Sequence, residues 1–258
     1  MKDMLIIGGH GFIGSHFCKR LNKEGMSYDI YDNHTPNGNP TKETIIKRKE
    51  GLPDSIEYND IPKNEYKYLV HFGSLAGIRN RHNKQEFIKK NYDDLLSLII
   101  NCNKNYEKII YISSSSVLGD VKTAYSISKK MAESLIISYF SNYLIVRPFT
   151  VYGEYGRPEM LITQCINNKK VKIYGDPTLI KRRFTYVEDL INCILDNLST
   201  IGTINAIGKK SYSILDVLNI FKNEYEIFAQ SKFDFKEQIL DDSEIYLCQT
   251  RIEDIYAK

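Results

Sequence analysis

Short apolar runs alternate with segments of helical apolar spacing through the first half of the chain. The runs predict five strands, at 4–7, 28–31, 68–72, 108–112 and 143–146. The segments between them repeat apolar residues every three or four positions, as in Ile13/Phe17/Leu21, Ile88/Tyr92/Leu95/Ile99 and Met131/Leu135/Tyr139. This alternation predicts right-handed βαβ units and therefore an α/β fold, a Rossmann-type doubly wound parallel sheet.

The alternation loosens after Arg147, where Gly and Pro cluster at 152–158 and 175–177 and two further helices are predicted at 161–168 and 187–198. We therefore expect an NAD-binding Rossmann domain over residues 1–150, to which 184–206 returns. Residues 151–183 and 207–258 are expected to form a small C-terminal substrate-binding lobe.

Composition narrows the class of protein. The net charge is only +3, and we interpret the run 47–49, Lys-Arg-Lys, as a solvated helix face, so no nucleic-acid partner is expected. The five cysteines are scattered without a C-x-x-C pair, which indicates reduced thiols and no metal site. No leader precedes the first strand and no apolar stretch approaches roughly 20 residues, which predicts a cytoplasmic protein that does not enter the membrane.

The first predicted strand runs directly into the segment 8–14, Gly-Gly-His-Gly-Phe-Ile-Gly, and then into a helix. Glycines let the backbone approach a diphosphate, and the helix N-terminus supplies free N–H donors. Asp32 ends the second strand, where a carboxylate can accept both ribose hydroxyls of NAD, and Lys42 and Lys47 leave NADP open. The predicted cofactor ligands here are Gly8, Gly11, Phe12, Ile13, Gly14, Asp32 and Asn33.

Tyr125 and Lys129 are four residues apart in a predicted helix, so their side chains share one face. A free tyrosine, with a pKa near ~10, is a poor base at neutral pH, but a neighbouring ammonium stabilises its phenolate. The hydroxyl-rich segment 113–116, four serines, lies just upstream. The pattern predicts that Tyr125 removes a proton from a hydroxyl while a hydride leaves the same carbon.

These motifs resemble the extended short-chain dehydrogenase/reductases of the NAD-dependent epimerase/dehydratase family, and the likeness recurs through most of the chain. The segment 71–74, His-Phe-Gly-Ser, resembles the family's fourth-strand motif, and Asn91 stands where the family has a helix asparagine. The resemblance implies a catalytic set of Ser114, Tyr125 and Lys129. It also implies cofactor contacts by Asp60, Ile61, Tyr125, Lys129 and Pro148.

The segment 150–160, Thr-Val-Tyr-Gly-Glu-Tyr-Gly-Arg-Pro-Glu-Met, is similar to UDP-glucuronate 4-epimerases, as is 75–79, Leu-Ala-Gly-Ile-Arg. The resemblance implies an NAD-dependent nucleotide-sugar 4-epimerase that acts on a UDP-hexuronate or UDP-hexose in polysaccharide biosynthesis. A guanidinium fork matches a carboxylate, which suits Arg157 to a hexuronate, although Arg157 could instead only brace its loop. The implied substrate contacts are Arg79, Ser115, Ser116, Thr150, Arg157 and Arg182.

Three alternatives to the epimerase remain. The segment between Leu118 and Tyr125 is shorter than in the family, and no late nucleotide-binding Arg motif is recognised, which keeps open an NAD(P)H-dependent reductase of an NDP-4-keto-6-deoxy sugar. A 4,6-dehydratase is disfavoured, because Ser115 and Ser116 replace its acidic pair. An idle dinucleotide sensor on the same fold is the third.

The family resemblance also implies a homodimer that pairs through the helices flanking Tyr125. Six apolar residues on those helices could supply the surface or could equally belong to the core: Leu95, Leu98, Ile99, Leu135, Ile136 and Tyr139.

Overall fold

The computed structural model describes residues 2–33, 40–58, 61, 65–77, 83–102, 106–119, 122–228 and 243–256. Its strands are, in chain order, β1 (Lys2–Ile7), β2 (Tyr28–Tyr31), β3 (Tyr66–His71), β4 (Tyr106–Ile112), β5 (Tyr143–Pro148), β6 (Thr150–Tyr152), β7 (Lys170–Tyr174), β8 (Lys181–Tyr186), β9 (Gly202–Gly208), β10 (Ser211–Ser213), β11 (Glu224–Phe228) and β12 (Glu244–Cys248). Its α-helices are α1 (Phe12–Glu24), α2 (Lys42–Lys49), α3 (Lys84–Ile88), α4 (Asp94–Cys102), α5 (Ala124–Tyr139), α6 (Leu161–Asn167), α7 (Val187–Asp196), α8 (Ile214–Phe221) and α9 (Ile252–Tyr256).

Seven strands form the central sheet in the order β2-β1-β3-β4-β5-β9-β12, and every neighbouring pair is parallel. A single parallel bridge, from Ile30 to Ser55, continues the order beyond β2. The strand order reverses between β1 and β3, and a cleft at the carboxyl ends of the strands is expected at such a reversal. The predicted Rossmann-type parallel sheet is confirmed.

Helices cover both faces of this sheet, and each face has its own apolar core. On one face α1 and α7 bury residues such as Phe17 and Leu190. On the other face α4 and α5 bury five of the six residues considered for a dimer surface, Leu95, Leu98, Ile99, Leu135 and Ile136. Those five belong to the core of one chain, and of the six only Tyr139 is exposed. None of the described helices is both long and apolar enough to span a bilayer.

A third core lies among the later elements, where the strands β6-β8-β10 form one small sheet and β7-β11 another. Tyr152, Phe184, Tyr212 and Ile252 pack there against α6, α8 and α9. The extent of the small lobe stays a prediction, with one correction: β12, expected within it, pairs with β9 in the central sheet. Most residues of this short edge strand are exposed or half-buried although its sequence, Glu-Ile-Tyr-Leu-Cys, is mostly apolar.

Two local features depart from the sequence predictions. The segment 47–49 does end a helix, α2, but Arg48 is buried rather than solvated. A π-helical turn, Lys89–Asp93, joins α3 to α4. Such turns are rare inside helices and occur often at functional sites, and this one carries the buried Asn91.

A buried carboxylate joins α5 to the two strands beneath it. Glu133 is fully buried and accepts hydrogen bonds from Arg147 Nε at 2.7 Å, Arg147 Nη2 at 2.8 Å and Ser113 Oγ at 2.7 Å. Lys130, whose side chain is mostly exposed, adds an ion pair of 3.2 Å. Burial raises the pKa of Glu133, but the bonds and charge of Arg147 outweigh it, so the pKa is lowered overall.

We expect Glu133→Ala to cost roughly 3–5 kcal/mol of unfolding free energy, because it leaves the Arg147 guanidinium buried without its counter-ion. Lys130→Ala, the control at the exposed member of the same network, should cost below about 1 kcal/mol. Urea unfolding would measure both. Equal losses of unfolding free energy in the two variants would contradict a larger contribution from the buried Glu133–Arg147 pair.

The pH dependence of this contribution has a definite sign. Because folding lowers the pKa of Glu133, its stabilisation is present above the unfolded pKa of ~4.3 and is lost as pH falls through the folded value. The stability gap between the native protein and Glu133→Gln should therefore shrink below about pH 4.

Candidate active site

A cavity of about 860 Å³ lies at the carboxyl ends of the strands, as the strand order predicts. The glycine turn, the end of β2 and the first turns of α5 line it from the sheet side. The segment after β6 and the start of β8 also line it. The predicted site residues that line it are Gly8, Gly11, Phe12, Ile13, Gly14, Asp32, Asn33, Ser114, Ser115, Tyr125, Lys129, Pro148, Thr150, Arg157 and Arg182.

The glycine turn brings backbone segments too close together for side chains. Gly8 has φ +77°, and a Cβ there would lie 2.7 Å from Gly73 N. A Cβ on Gly14 would lie 2.2 Å from Gly8 O. Gly11 caps α1, and among the described residues no side chain accepts from the first turn, which also contains no acidic residue. Free N–H donors at the positive end of a helix dipole fit a diphosphate.

Asp32 lies beside this turn. Its Oδ2 accepts from the backbone N–H of His10 at 3.0 Å, and its own N–H donates to Ser55 Oγ at 2.8 Å. The carboxylate is therefore held against the glycine turn, where a ribose attached to the diphosphate would lie. Ile61 is wholly buried in the core next to α4 rather than on the cavity. The predicted contact Asp60 lies outside the described residues.

Tyr125 and Lys129 lie one turn apart at the start of α5, both buried and both on the cavity. A capping box between Thr123 and Ser126 fixes where this helix begins. Lys129 Nζ donates to the carbonyl of Ile112 at 2.7 Å, which directs the ammonium toward the end of β4. The two side chains thus lie on one face of α5 and on one cavity, as their spacing predicts.

Burial and the neighbouring charges shift the pKa values of Tyr125 and Lys129 in opposite directions. Burial raises the pKa of Tyr125, while a hydrogen bond from Ser114 and the charge of Arg157 lower it. Burial lowers the pKa of Lys129 to about 7, and the carboxylate of Glu133 acts against that fall. A cation bound near Tyr125 would bring its pKa closer to neutrality.

Asn91 was recognised as a motif position, and the structure shows its contacts. Its Oδ1 accepts from Leu75 N–H at 2.7 Å, and its Nδ2 donates to Leu75 O and to Ser128 Oγ, each at 3.0 Å. Ser128 Oγ in turn donates to the carbonyl of Tyr125 at 2.9 Å. Asn91 therefore fixes the segment after β3 against the catalytic helix.

The predicted substrate contacts are only partly brought together. Arg157 Nη1 donates to Ala76 O at 2.9 Å and pairs with Glu159 at 3.2 Å, so it braces a loop and also faces the cavity. Ser116 does not line the cavity, because the turn Ser115–Leu118 buries its hydroxyl. Arg79 lies outside the described residues.

Among the residues that line this cavity, His71 was recognised only as part of the 71–74 motif, and Arg48 was expected in solvent. His71 is buried, and burial followed by the charge of Lys129 lowers its pKa to about 3, so it is a neutral imidazole. Arg48 lines the cavity from α2. The signal for Arg48 was its spacing of three from Ile45, which also lines the cavity, but two lysines beside it masked that pattern.

Comparison with known proteins identifies the family. Residues 4–206 match the family described as the NAD dependent epimerase/dehydratase family. This chain is a member of that family. It is therefore an enzyme of the extended short-chain dehydrogenase/reductase type, and its cofactor is NAD, as predicted.

Three similar proteins are 26–31% identical to this chain. An uncharacterized protein of Methanocaldococcus jannaschii is 31% identical over 232 residues, 75% of this chain and 71% of that protein. The UDP-N-acetyl-alpha-D-glucosaminuronate decarboxylase of Bacillus cytotoxicus is 26% identical over 226 residues, 75% of this chain and 70% of that protein. A UDP-glucuronic acid 4-epimerase of Bacillus cereus, solved with UDP-glucuronic acid and NAD, has a TM-score of 0.80 at 26% identity and covers 93% of this chain and 90% of that chain.

The glycine turn yields a prediction about NAD affinity. In Gly14→Ala the new Cβ would lie 2.2 Å from Gly8 O and 2.9 Å from Gly9 Cα, so the turn must open and its N–H donors must move. NAD affinity should fall at least about tenfold. Calorimetric titration would measure it, with Gly119→Ala as the control, since that Cβ meets only Ser116 O at 3.6 Å. Unchanged affinity in Gly14→Ala would contradict the diphosphate role.

Proposed function

We propose that this enzyme is a nucleotide-sugar 4-epimerase and that its substrate is a UDP-hexuronate or UDP-hexose. The observation that carries the proposal is that Ser114, Tyr125 and Lys129 face the same cavity as the glycine turn and Arg157. One cavity thus joins a hydroxyl-activating cluster, a dinucleotide site and a cation suited to an acidic sugar. Its 860 Å³ is within the range of ordinary ligand sites.

The residues have separate tasks in this proposal. NAD held at the glycine turn would supply a reversible hydride acceptor for C4, and inversion requires the 4-keto sugar to rotate so that the hydride returns to its other face. Tyr125 Oη takes the proton of the C4 hydroxyl and later gives it back, Lys129 stabilises the phenolate by its charge, and Ser114 hydrogen-bonds the same hydroxyl. Because the same proton and hydride are returned, the cycle leaves NAD unchanged overall.

Arg157 supports a hexuronate over a neutral hexose. Its guanidinium lines the cavity, and Nη1 alone makes the two contacts with Ala76 O and Glu159. The other N–H groups can therefore meet a carboxylate in the two-pronged geometry that arginine favours. Thr150 lies on the cavity as a neighbouring hydroxyl donor.

The direct test is an NMR assay of the purified protein with UDP-glucuronate and NAD. The proposal expects new sugar signals with a galacto-type C4 coupling and no net NADH. An unchanged spectrum together with NADH consumption on an NDP-4-keto-6-deoxy sugar would instead establish the reductase alternative.

In Arg157→Gln the preference for UDP-glucuronate over UDP-glucose should fall about tenfold or more, since a charged hydrogen bond of roughly 1.5–3 kcal/mol is lost.

We expect Tyr125→Phe to lower kcat by roughly 10²–10⁴-fold, because the proton of the C4 hydroxyl loses its acceptor. NAD binding should persist, since the glycine turn and Asp32 are untouched. The matched control is Tyr139→Phe, at the exposed end of the same helix. Turnover retained in Tyr125→Phe would refute the role of this tyrosine and revive a non-catalytic sensor.

We also propose a cytoplasmic homodimer that contributes to polysaccharide biosynthesis. Its support is the family resemblance and a set of apolar residues exposed on α4 and α5: Ile100, Ile127, Ile137 and Tyr139. Sedimentation velocity would give the oligomeric state directly.

A further inference from the structure

Arg48 is a buried cation for which the described part of the chain supplies no paired carboxylate. It lies near the end of α2 with 5% of its surface exposed, and its Nε and Nη2 both donate to one carbonyl, Tyr155 O, at 3.1 and 2.6 Å. Among the described residues no carboxylate forms an ion pair with it. A guanidinium has five N–H donors, so most of the hydrogen-bonding capacity of Arg48 is left over.

The surroundings of Arg48 make that state costly. A buried charge is normally paired, because its desolvation is otherwise uncompensated. Burial and then the charge of Arg157 lower the pKa of Arg48 to about 10. Glu159 and Asp32 act in the opposite direction from beyond ion-pair distance. Two guanidinium groups thus face one cavity, and an anion bound there would relieve the repulsion between them.

The position of Arg48 indicates which anion would bind to it. Two bonds hold α2 against α1, from Lys19 Nζ to Lys47 O at 2.7 Å and from Asn22 Nδ2 to Gly51 O at 3.0 Å. The Tyr155 ring lies 6.0 Å from the ring of His16 in α1. Arg48 lines the same cavity as Gly11, Phe12 and Ile13 at the start of α1, where the N–H groups of the first turn have no side-chain acceptor among the residues that the structure describes.

We propose that Arg48 is a ligand of the cofactor's diphosphate, closing it from the side opposite the N-terminus of α1. The helix N–H groups bind one side of the diphosphate, and the free N–H groups of Arg48 bind the other. The inference depends on the use of NAD and not on the identity of the sugar. In this arrangement the bonds to Tyr155 O orient the guanidinium toward the diphosphate.

The test is calorimetric binding of NAD and ADP-ribose without any sugar nucleotide, and of adenosine by displacement of NAD. Arg48→Gln should weaken NAD and ADP-ribose on the order of 10–100-fold, the loss expected for a charged hydrogen bond to phosphate. Adenosine binding should not change, because it contains no phosphate. Arg48→Lys should be intermediate, since it keeps the charge without the fork. Lys47→Gln, at the exposed neighbouring position, should match the native protein.

Three results would overturn the proposal. An equal loss for adenosine would mean that Arg48 only supports the position of α2. Native affinity for NAD and ADP-ribose, with weakened binding of NADP titrated in the same way, would assign Arg48 to a 2′-phosphate. Unchanged NAD binding with a raised KM for the sugar nucleotide would assign it to the substrate's diphosphate. If Arg48→Gln does not fold by circular dichroism, the same comparison is made with Arg48→Lys, where native affinity for NAD and ADP-ribose would refute the two-pronged contact.

Discussion

The carboxylate of Glu133 holds α5 against the carboxyl ends of β4 and β5, and the active site is assembled from those three elements. Its bond to Ser113 fixes the residue before Ser114, and its pair with Arg147 fixes the residue before Pro148. Glu133 also lies one turn beyond Lys129 and sustains the positive charge of that buried ammonium. One buried pair therefore sets both the geometry and the electrostatics of the catalytic cluster.

Most of the central sheet was predictable because its first five strands are short apolar runs, three of which are followed by a helix with apolar residues at regular spacing. Parallel strands covered on both faces need such continuous apolar runs. The strands β11 and β12 were not predictable, because most of their residues, apolar ones included, are exposed or half-buried without alternation. The strand β7, Lys-Val-Lys-Ile-Tyr, does carry the alternation typical of a half-buried strand. The pairing of all three strands depends on tertiary contacts between segments distant in sequence.

The same distinction applies to the site. The proximity of Tyr125 to Lys129 and the tight glycine turn were predictable because one local geometry fixes each spacing: a helical turn for the pair and a close backbone approach for the glycines. Ser116 and Arg48 were misassigned because the sequence does not show which of several adjacent similar residues faces the cavity and which faces the core or the solvent. The short turn Ser115–Leu118 buries Ser116, and packing of α2 on α1 turns Arg48 inward.

The loop after β6 shows how the two halves of the cavity constrain each other. Tyr155 adopts φ +60°, a left-handed conformation that costs a non-glycine residue about 1 kcal/mol or more. Contacts from the dinucleotide side offset that cost: Arg48 binds the carbonyl of Tyr155, and Lys19 lies over its ring at 5.1 Å. Arg157 follows two residues later on the same loop. Arg157, which lines the cavity, is therefore oriented by a backbone that contacts from α1 and α2 hold in place.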